Sequence, residues 1–229
     1  MKKYFLPFII LLNFSCHSQK SKTVLSVEEF EKGINQSNIQ VLDVRTTGEF
    51  LNGHIKNSLH ADWLNNDQFK ERTEYIDKDK PVYIYCLSGA RSAAAAEWLR
   101  KNGYIEVLEL NGGLNAWKKN NKELEGAKNE KQMSMDEYYS LLNSEAILLV
   151  DFGAKWCPPC VKMEPVLAEL ESDKTVLHKL ITIDAGVHTD IQKELSIDAL
   201  PVFIIYKNGK EVWRKQGLVT KNEFIEQLK

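Results

Sequence analysis

Cysteine, excess charge and long apolar segments are all scarce in this sequence. Its 229 residues contain four cysteines, too few and too unevenly spaced for a disulfide-stabilised scaffold. With 30 basic and 32 acidic side chains, the chain has no charge excess of the kind that binds nucleic acid. The five histidines place no second ligand pair near the cysteines, so neither a metal site nor a cofactor is expected. The cysteines are therefore expected to react.

The longest apolar run lies at the N-terminus. Lys2 and Lys3 precede an apolar stretch over residues 4–12 that is too short to span a bilayer, and Ser15 then precedes Cys16. This order is typical of a secretory signal peptide. It resembles a bacterial lipoprotein signal, which implies cleavage after residue 15, a lipid on Cys16 and a tether over residues 16–23. The protein is then expected in the periplasm, anchored to a membrane; ordinary signal cleavage, an uncleaved anchor and a cytosolic chain are the alternatives.

The rest of the chain divides into two α/β units. Residues 24–118 alternate strand-like runs (39–44, 81–85 and 105–110) with a helical stretch at 92–100, which predicts a parallel sheet covered by helices. Residues 119–132 have almost no large apolar side chains and are predicted to be a linker. Residues 133–229 are predicted to form a second domain, with helices over about 135–142 and 221–228 and with Asn208-Gly209 as a hairpin turn.

Two cysteines in the second domain have the spacing of a redox pair. Trp156-Cys157-Pro158-Pro159-Cys160 lies between a strand-like run and a predicted helix. A thiol at a helix N-terminus is stabilised as the reactive thiolate. Cys160 is three residues further along the same helical face, so it can resolve a mixed disulfide formed at Cys157.

This domain resembles the thioredoxin family, which implies a thioredoxin-like fold with a mixed sheet. The resemblance depends on Asp151, Trp156, the Cys-Pro-Pro-Cys pair, Pro165, Leu200-Pro201-Val202 and Gly217. It implies that Pro201 is cis and faces the disulfide, and that Trp156, Leu200 and Pro201 bind the substrate. It also implies that Asp151 is a buried proton acceptor for Cys160; the alternative is a strand-end acid that accepts hydrogen bonds from the backbone. Family members often carry a lysine where Leu180 stands here.

The direction of electron flow is predicted from the residues between the cysteines. Pro158 and Pro159 carry neither a charge nor an N–H that could stabilise the Cys157 thiolate strongly, so a reductase is expected rather than an oxidase. The motif resembles the membrane-tethered periplasmic thioredoxins that keep chosen cysteines reduced. That resemblance implies a membrane thiol-disulfide transporter as the electron donor.

A third cysteine has the setting of an anion-binding nucleophile. Cys86 follows a strand-like run and opens a predicted helix, where successive backbone N–H groups favour a thiolate, and Arg91 adds a positive charge. The domain resembles the rhodanese family through Leu42-Asp-Val-Arg45, Gly53-His-Ile55, the Cys-x-x-Gly-x-Arg-Ser loop, Leu110-Asn-Gly-Gly113 and Trp117. That family implies a parallel-sheet fold in which Cys86 carries a sulfane sulfur, with the donor bound by Leu87, Ser88, Gly89, Ala90 and Arg91.

The two resemblances together predict an enzyme that combines thiol-disulfide exchange with sulfur transfer. A small sulfane-sulfur donor would load Cys86, and Cys157 with Cys160 would reduce that persulfide or the disulfides of protein substrates. Two alternatives remain: a general disulfide reductase beside an independent sulfurtransferase, and a reductase whose rhodanese unit is a non-catalytic docking module.

Overall fold

The chain contains two α/β domains, as predicted. The structure is a computed structural model that describes residues 23–126 and 131–229. A five-stranded parallel sheet forms the first domain and a four-stranded mixed sheet forms the second. The predicted signal peptide and the lipidation site Cys16 lie outside the described residues. No helix within the two described ranges is long and apolar enough to cross a membrane.

The first domain is a doubly covered parallel sheet. Its elements are β1 (Val24–Leu25), α1 (Val27–Ile34), β2 (Gln40–Asp43), α2 (Thr47–Leu51), β3 (Ser58–His60), α3 (Asn66–Thr73), β4 (Val82–Tyr85), α4 (Ala90–Lys101), β5 (Val107–Leu110) and α5 (Gly113–Lys119). The strand order is β1-β5-β4-β2-β3, so the short β3 is an edge strand. Every residue of β4 and β5 is buried because helices pack on both faces of the sheet.

In the second domain, β6 pairs with one parallel and one antiparallel strand, and a fourth strand pairs antiparallel with the latter. Its elements are α6 (Met135–Leu142), β6 (Ile147–Gly153), α7 (Pro158–Ser172), β7 (Lys179–Asp184), α8 (Thr189–Glu194), β8 (Val202–Lys207), β9 (Lys210–Gln216) and α9 (Lys221–Leu228). The order is β7-β6-β8-β9, with β6 and β7 parallel. Asn208 and Gly209 both have positive φ, at 51° and 73°, and close the predicted hairpin between β8 and β9.

The two cysteine sites lie where strands end and helices begin. β4 leads into Cys86 and α4, and β6 leads through residues 154–156 into Cys157 and α7. These turns place each sulfur at the N-terminal end of a helix. The domains meet beside the second of them, where α3 lies against α7.

Candidate functional site

Cys157 and Cys160 form a disulfide at the start of α7. Cys157 is the N-cap residue, its N–H donates to the Ala154 carbonyl at 3.0 Å, and the two Cα atoms are 5.2 Å apart. Cys157 is fully buried, whereas Cys160 is 9% exposed. The residue expected to attack substrates is thus the less accessible of the two in this arrangement.

A buried carboxyl group lies behind Cys160. Asp151 on β6 and Cys160 line the same cavity of about 310 Å³, together with Glu164 and Leu180. Burial raises the pKa of Asp151 to about 7, and the nearby carboxylate of Glu164 adds to that rise. An acid with this pKa can accept a proton near neutral pH. Leu180 stands at this cavity, while Lys179 is directed elsewhere and pairs with Glu145 at 4.0 Å.

The absence of a side chain at Gly153 leaves space between the Asp151 carboxyl group and Cys160. A Cβ at this position would lie 3.2 Å from Asp151 Oδ1 and 3.6 Å from Cys160 Cβ. A larger side chain would therefore separate these two groups. Sequence reasoning missed Gly153, because its position at the end of β6 is meaningful only once Asp151 and Cys160 are known to face it.

The Leu200–Pro201 peptide bond is cis, as the thioredoxin resemblance implies. Leu200 is buried in the same apolar cluster as both cysteines. The Pro201 carbonyl accepts a hydrogen bond from the Gly217 N–H at 2.9 Å, and Gly217 has a φ of 86°. This contact joins the start of β8 to the end of β9 and holds the loop beside the disulfide.

Cys86 sits in a loop of hydrogen-bond donors. Its sulfur accepts from the Gly89 N–H at 3.1 Å and from the Ser92 hydroxyl at 3.4 Å. Burial acts to raise the pKa of Cys86, since the side chain is 1% exposed. Hydrogen bonds from Ser92, Ser88 and Gly89 outweigh burial and lower the pKa below its usual value. Ser92 was not predicted as a site residue, although it belongs to the loop motif.

The start of α5 holds the Cys86 loop in place. The Leu114 N–H donates to the Cys86 carbonyl at 2.8 Å, and the Asn115 N–H donates to the Leu87 carbonyl at 2.9 Å. A Cβ on Gly113, whose φ is 59°, would come within 2.5 Å of the Cys86 carbonyl oxygen. Glycine is therefore required here, which explains the second glycine of the Leu110-Asn-Gly-Gly113 motif.

The remaining residues of the Cys86 loop differ in solvent exposure and in their interaction partners. Leu87, Ser88 and Ala90 are exposed and Gly89 is half-buried. Arg91 makes a two-pronged ion pair with Glu49 of α2, with both N–O distances at 2.7 Å. This pairing lowers the pKa of Glu49 to about 2 and compensates the charge of Arg91. Glu49 was missed, because the Thr46-x-x-Glu49 pattern indicates only the start of a helix.

Trp156, next to Cys157, packs against the first domain. Its ring lies 5.4 Å from the Phe50 ring, and the guanidinium carbon of Arg72 lies 5.4 Å from its centroid. Its carbonyl oxygen accepts a hydrogen bond from the His60 N–H at 2.8 Å. Because these partners lie 84 to 106 residues earlier in the chain, sequence reasoning had no local signal for them.

The first-domain side of this contact carries a buried cation. Arg72, which is 5% exposed, donates from Nη1 to His60 Nδ1 at 2.8 Å. His60 Nε2 in turn donates to the Arg45 carbonyl at 2.8 Å. Burial lowers the pKa of Arg72 to about 10, and burial with the neighbouring Arg72 lowers that of His60 to about 3. At neutral pH the tryptophan therefore faces a charged arginine and a neutral histidine.

In the two described ranges, no group of three or more His, Cys, Asp or Glu side chains is arranged to hold a metal ion.

Comparison with known proteins identifies both domains. The rhodanese-like domain family matches residues 26–120, and the thioredoxin family matches residues 129–229. Over 114 residues the chain is 41% identical to the uncharacterized protein YqhL of Bacillus subtilis, covering 49% of this chain and 86% of that protein. The thiosulfate sulfurtransferase GlpE of Shewanella oneidensis is 32% identical over 93 residues, which are 41% of this chain and 89% of that protein.

A plant protein is similar to the second domain. The chloroplastic thioredoxin Y of Oryza sativa is 40% identical over 102 residues, which are 44% of this chain and 60% of that protein. The chain belongs to the rhodanese-like and thioredoxin families, as one domain of each in that order. It is a thiol-redox protein of the thiol-disulfide oxidoreductase class with a sulfurtransferase-like domain.

Proposed function

We propose that this protein is an extracytoplasmic thiol-disulfide reductase coupled to a rhodanese-type sulfurtransferase. The observation that carries the proposal is the presence of two differently activated sulfur sites in one chain. Cys86 has donors that lower its thiol pKa, and the Cys157–Cys160 pair has an acid of pKa about 7 behind it. The first setting suits a persulfide carrier and the second suits a dithiol that reduces it.

The sulfur-loading step starts at the Cys86 thiolate. The thiolate attacks the sulfane sulfur of a small donor, and the remainder of the donor leaves with the bond electrons, so that a persulfide forms on Cys86. Residues 87–91 bind the donor in this proposal. Since Glu49 compensates Arg91, an organic persulfide donor of lower charge fits the loop better than doubly charged thiosulfate.

The reducing step uses the dithiol of the second domain. The Cys157 thiolate attacks the outer sulfur of the Cys86 persulfide, and the Cys86 thiolate leaves. Cys160 then attacks the Cys157 sulfur, forms the Cys157–Cys160 disulfide and releases hydrosulfide. Asp151 accepts the Cys160 proton in this step. Protein disulfides would be reduced by the same two attacks, with Trp156, Leu200 and Pro201 contacting the substrate.

The relay is tested by intact-mass measurement of the soluble protein from Ser21 onward. We expect a Cys157→Ser, Cys160→Ser double variant exposed to polysulfide to retain one extra sulfur atom on Cys86. The reduced parent protein should lose that sulfur and gain the Cys157–Cys160 disulfide, because only the parent has the attacking thiols. A Cys86→Ser variant is the matched control and should hold no extra sulfur.

One outcome would replace this proposal with a second candidate function. If no variant ever holds sulfur on Cys86, the first domain is a docking module for a tethered reductase. The packing of Trp156 on Phe50 and Arg72 favours a docking role, since it joins the first domain directly to the redox pair. Retention of the extra sulfur on Cys86 by the reduced parent protein would instead indicate two independent activities.

The proposed location follows from the N-terminal residues. Lys2, Lys3, the apolar residues 4–12 and Cys16 support secretion into the periplasm and attachment through a lipid. Electrons would then come from a membrane thiol-disulfide transporter. We expect full-length protein to sediment with membranes, and a Cys16→Ser variant to be recovered in the soluble extracytoplasmic fraction. Recovery of both proteins in the cytosol would contradict the proposed location.

A further inference from the structure

The redox-active disulfide is covered in the described arrangement of the two domains. Cys157 has no solvent-exposed surface, although its role requires attack by and on external sulfur atoms. Its neighbour Trp156 is held by the first domain through Phe50 and Arg72. The first domain therefore packs directly against the residue that precedes Cys157.

The contact is specific at the level of the backbone. β3 is the edge strand of the first sheet, and the His60 N–H points away from that sheet to the Trp156 carbonyl at 2.8 Å. The next amide, Ala61, bonds inward to Asp43 at 3.1 Å. Trp156, the residue before Cys157, thus accepts a hydrogen bond from the edge strand β3. The backbone of the first domain is therefore bonded to the residue next to the nucleophile.

The side chains around the tryptophan add a directional contact. Arg72 is a buried cation with no ion pair among the described residues, and its guanidinium lies over the Trp156 ring. A desolvated cation over an indole ring is a favourable contact. Removal of the tryptophan would leave this charge at a newly exposed surface. The arrangement has the properties of a specific docking site for the edge of the thioredoxin domain.

We propose that the rhodanese domain is a cap on the Cys157–Cys160 disulfide, and that it must move away before a protein dithiol can reduce the disulfide. In that exchange the first external thiolate attacks Cys157 and displaces the Cys160 thiolate. The second external thiol then closes the external disulfide, and Cys157 and Cys160 are left as thiols. In this proposal Cys157 becomes accessible to the external thiolate once Trp156 leaves Phe50 and Arg72. Covalent linkage of the domains lets the cap close again as an intramolecular step.

The cap is tested by the rate at which a reduced protein dithiol, a free thioredoxin, reduces the oxidised chain. Thiols are alkylated at each time point and counted by mass. We expect Arg72→Leu and Phe50→Leu each to raise this rate by about tenfold, which corresponds to about 1.4 kcal/mol of docking free energy. Arg100→Leu is the matched control, because Arg100 is a partly buried arginine of the same domain that pairs with Glu109 instead; its rate should equal that of the parent.

Hydrogen exchange provides a second readout that separates cap opening from unfolding. Among the described residues, the His60 amide is protected only by a hydrogen bond to the other domain, whereas the adjacent Ala61 amide is protected within its own domain. In Arg72→Leu, exchange at His60 should accelerate by the same factor as the reduction rate while exchange at Ala61 stays unchanged. Acceleration at both amides would mean that the domain unfolds, and the proposal would be overturned.

The inference would also be overturned if the parent were reduced as fast as the two variants, since the disulfide would then be open without any domain movement. It relies on the proposed reductase role only for its biological consequence. The external dithiol acts directly on Cys157, so the result is independent of whether Cys86 ever carries sulfur. Failure of the relay and failure of the cap are thereby distinguished.

Discussion

Replacing Cys157 with serine is expected to lower the rate of disulfide reduction by at least about a thousandfold, because a catalytic nucleophile is lost. The serine hydroxyl is not ionised at neutral pH, so neither the N-terminal end of α7 nor Asp151 can make it an effective nucleophile. The rate is measured with the reduced full chain and insulin as the disulfide substrate. The comparison with the parent is made at equal protein concentration.

Two control variants locate the effect at Cys157. Cys86→Ser should keep the parental rate with insulin, since this substrate needs no sulfur carrier. Cys160→Ser should attack once and then accumulate as a mixed disulfide on Cys157, which mass spectrometry detects. Retention of activity by Cys157→Ser would mean that Cys160 or Cys86 is the true nucleophile.

Replacing Asp151 with asparagine is expected to stabilise the oxidised thioredoxin domain at alkaline pH. The folded-state pKa of Asp151, about 7, is higher than its ordinary value of 3.8, so the unfolded state releases this proton more readily. The free energy of unfolding is therefore highest below pH 3.8 and falls as pH rises to 7. A difference of about three pKa units corresponds to about 4 kcal/mol of unfolding free energy, which the parent protein loses as the pH rises. Asparagine does not ionise, so the Asp151→Asn variant would not lose this free energy.

The same substitution is expected to slow catalysis. Without the carboxylate, the Cys160 thiol has no proton acceptor, and the rate of resolution should fall by about a hundredfold at pH 7. Stability is followed by hydrogen exchange of β6 peptides at pH 5 and pH 8, and resolution by the lifetime of the mixed disulfide. Asp198→Asn, an exposed aspartate of the same domain, is the control and should change neither. A pH-independent difference in stability would contradict the assigned role of burial.

Local sequence signals were sufficient for the elements that position the redox pair. The predicted helices over 135–142 and 221–228 agree with α6 and α9 at both ends. Each begins at a side-chain cap, from Ser134 and Thr220, and such caps act within one turn of the chain. Cys157 was likewise predicted at a helix N-terminus, because a buried strand and a proline-containing helix start flank it.

Short elements stabilised by distant partners were not predicted. β1 and β3 have only two and three residues, and their strand conformation depends on pairing with β5 and β2. A period of two cannot be recognised in so few residues. The Glu49–Arg91 ion pair was missed for the same reason, since nothing in the sequence indicates which of the many acids Arg91 meets.

The sequence by itself determined both domain types, because motifs such as the Cys-Pro-Pro-Cys pair and the Cys-x-x-Gly-x-Arg-Ser loop consist of residues a few positions apart along the chain. Only the tertiary structure decided that Cys157 is buried and that Trp156 lies against Phe50, His60 and Arg72. That contact joins two separately folded domains, and its geometry is set by the shape and charge of two surfaces. The periodicity and residue spacing within each domain do not indicate which surface of one domain packs against the other.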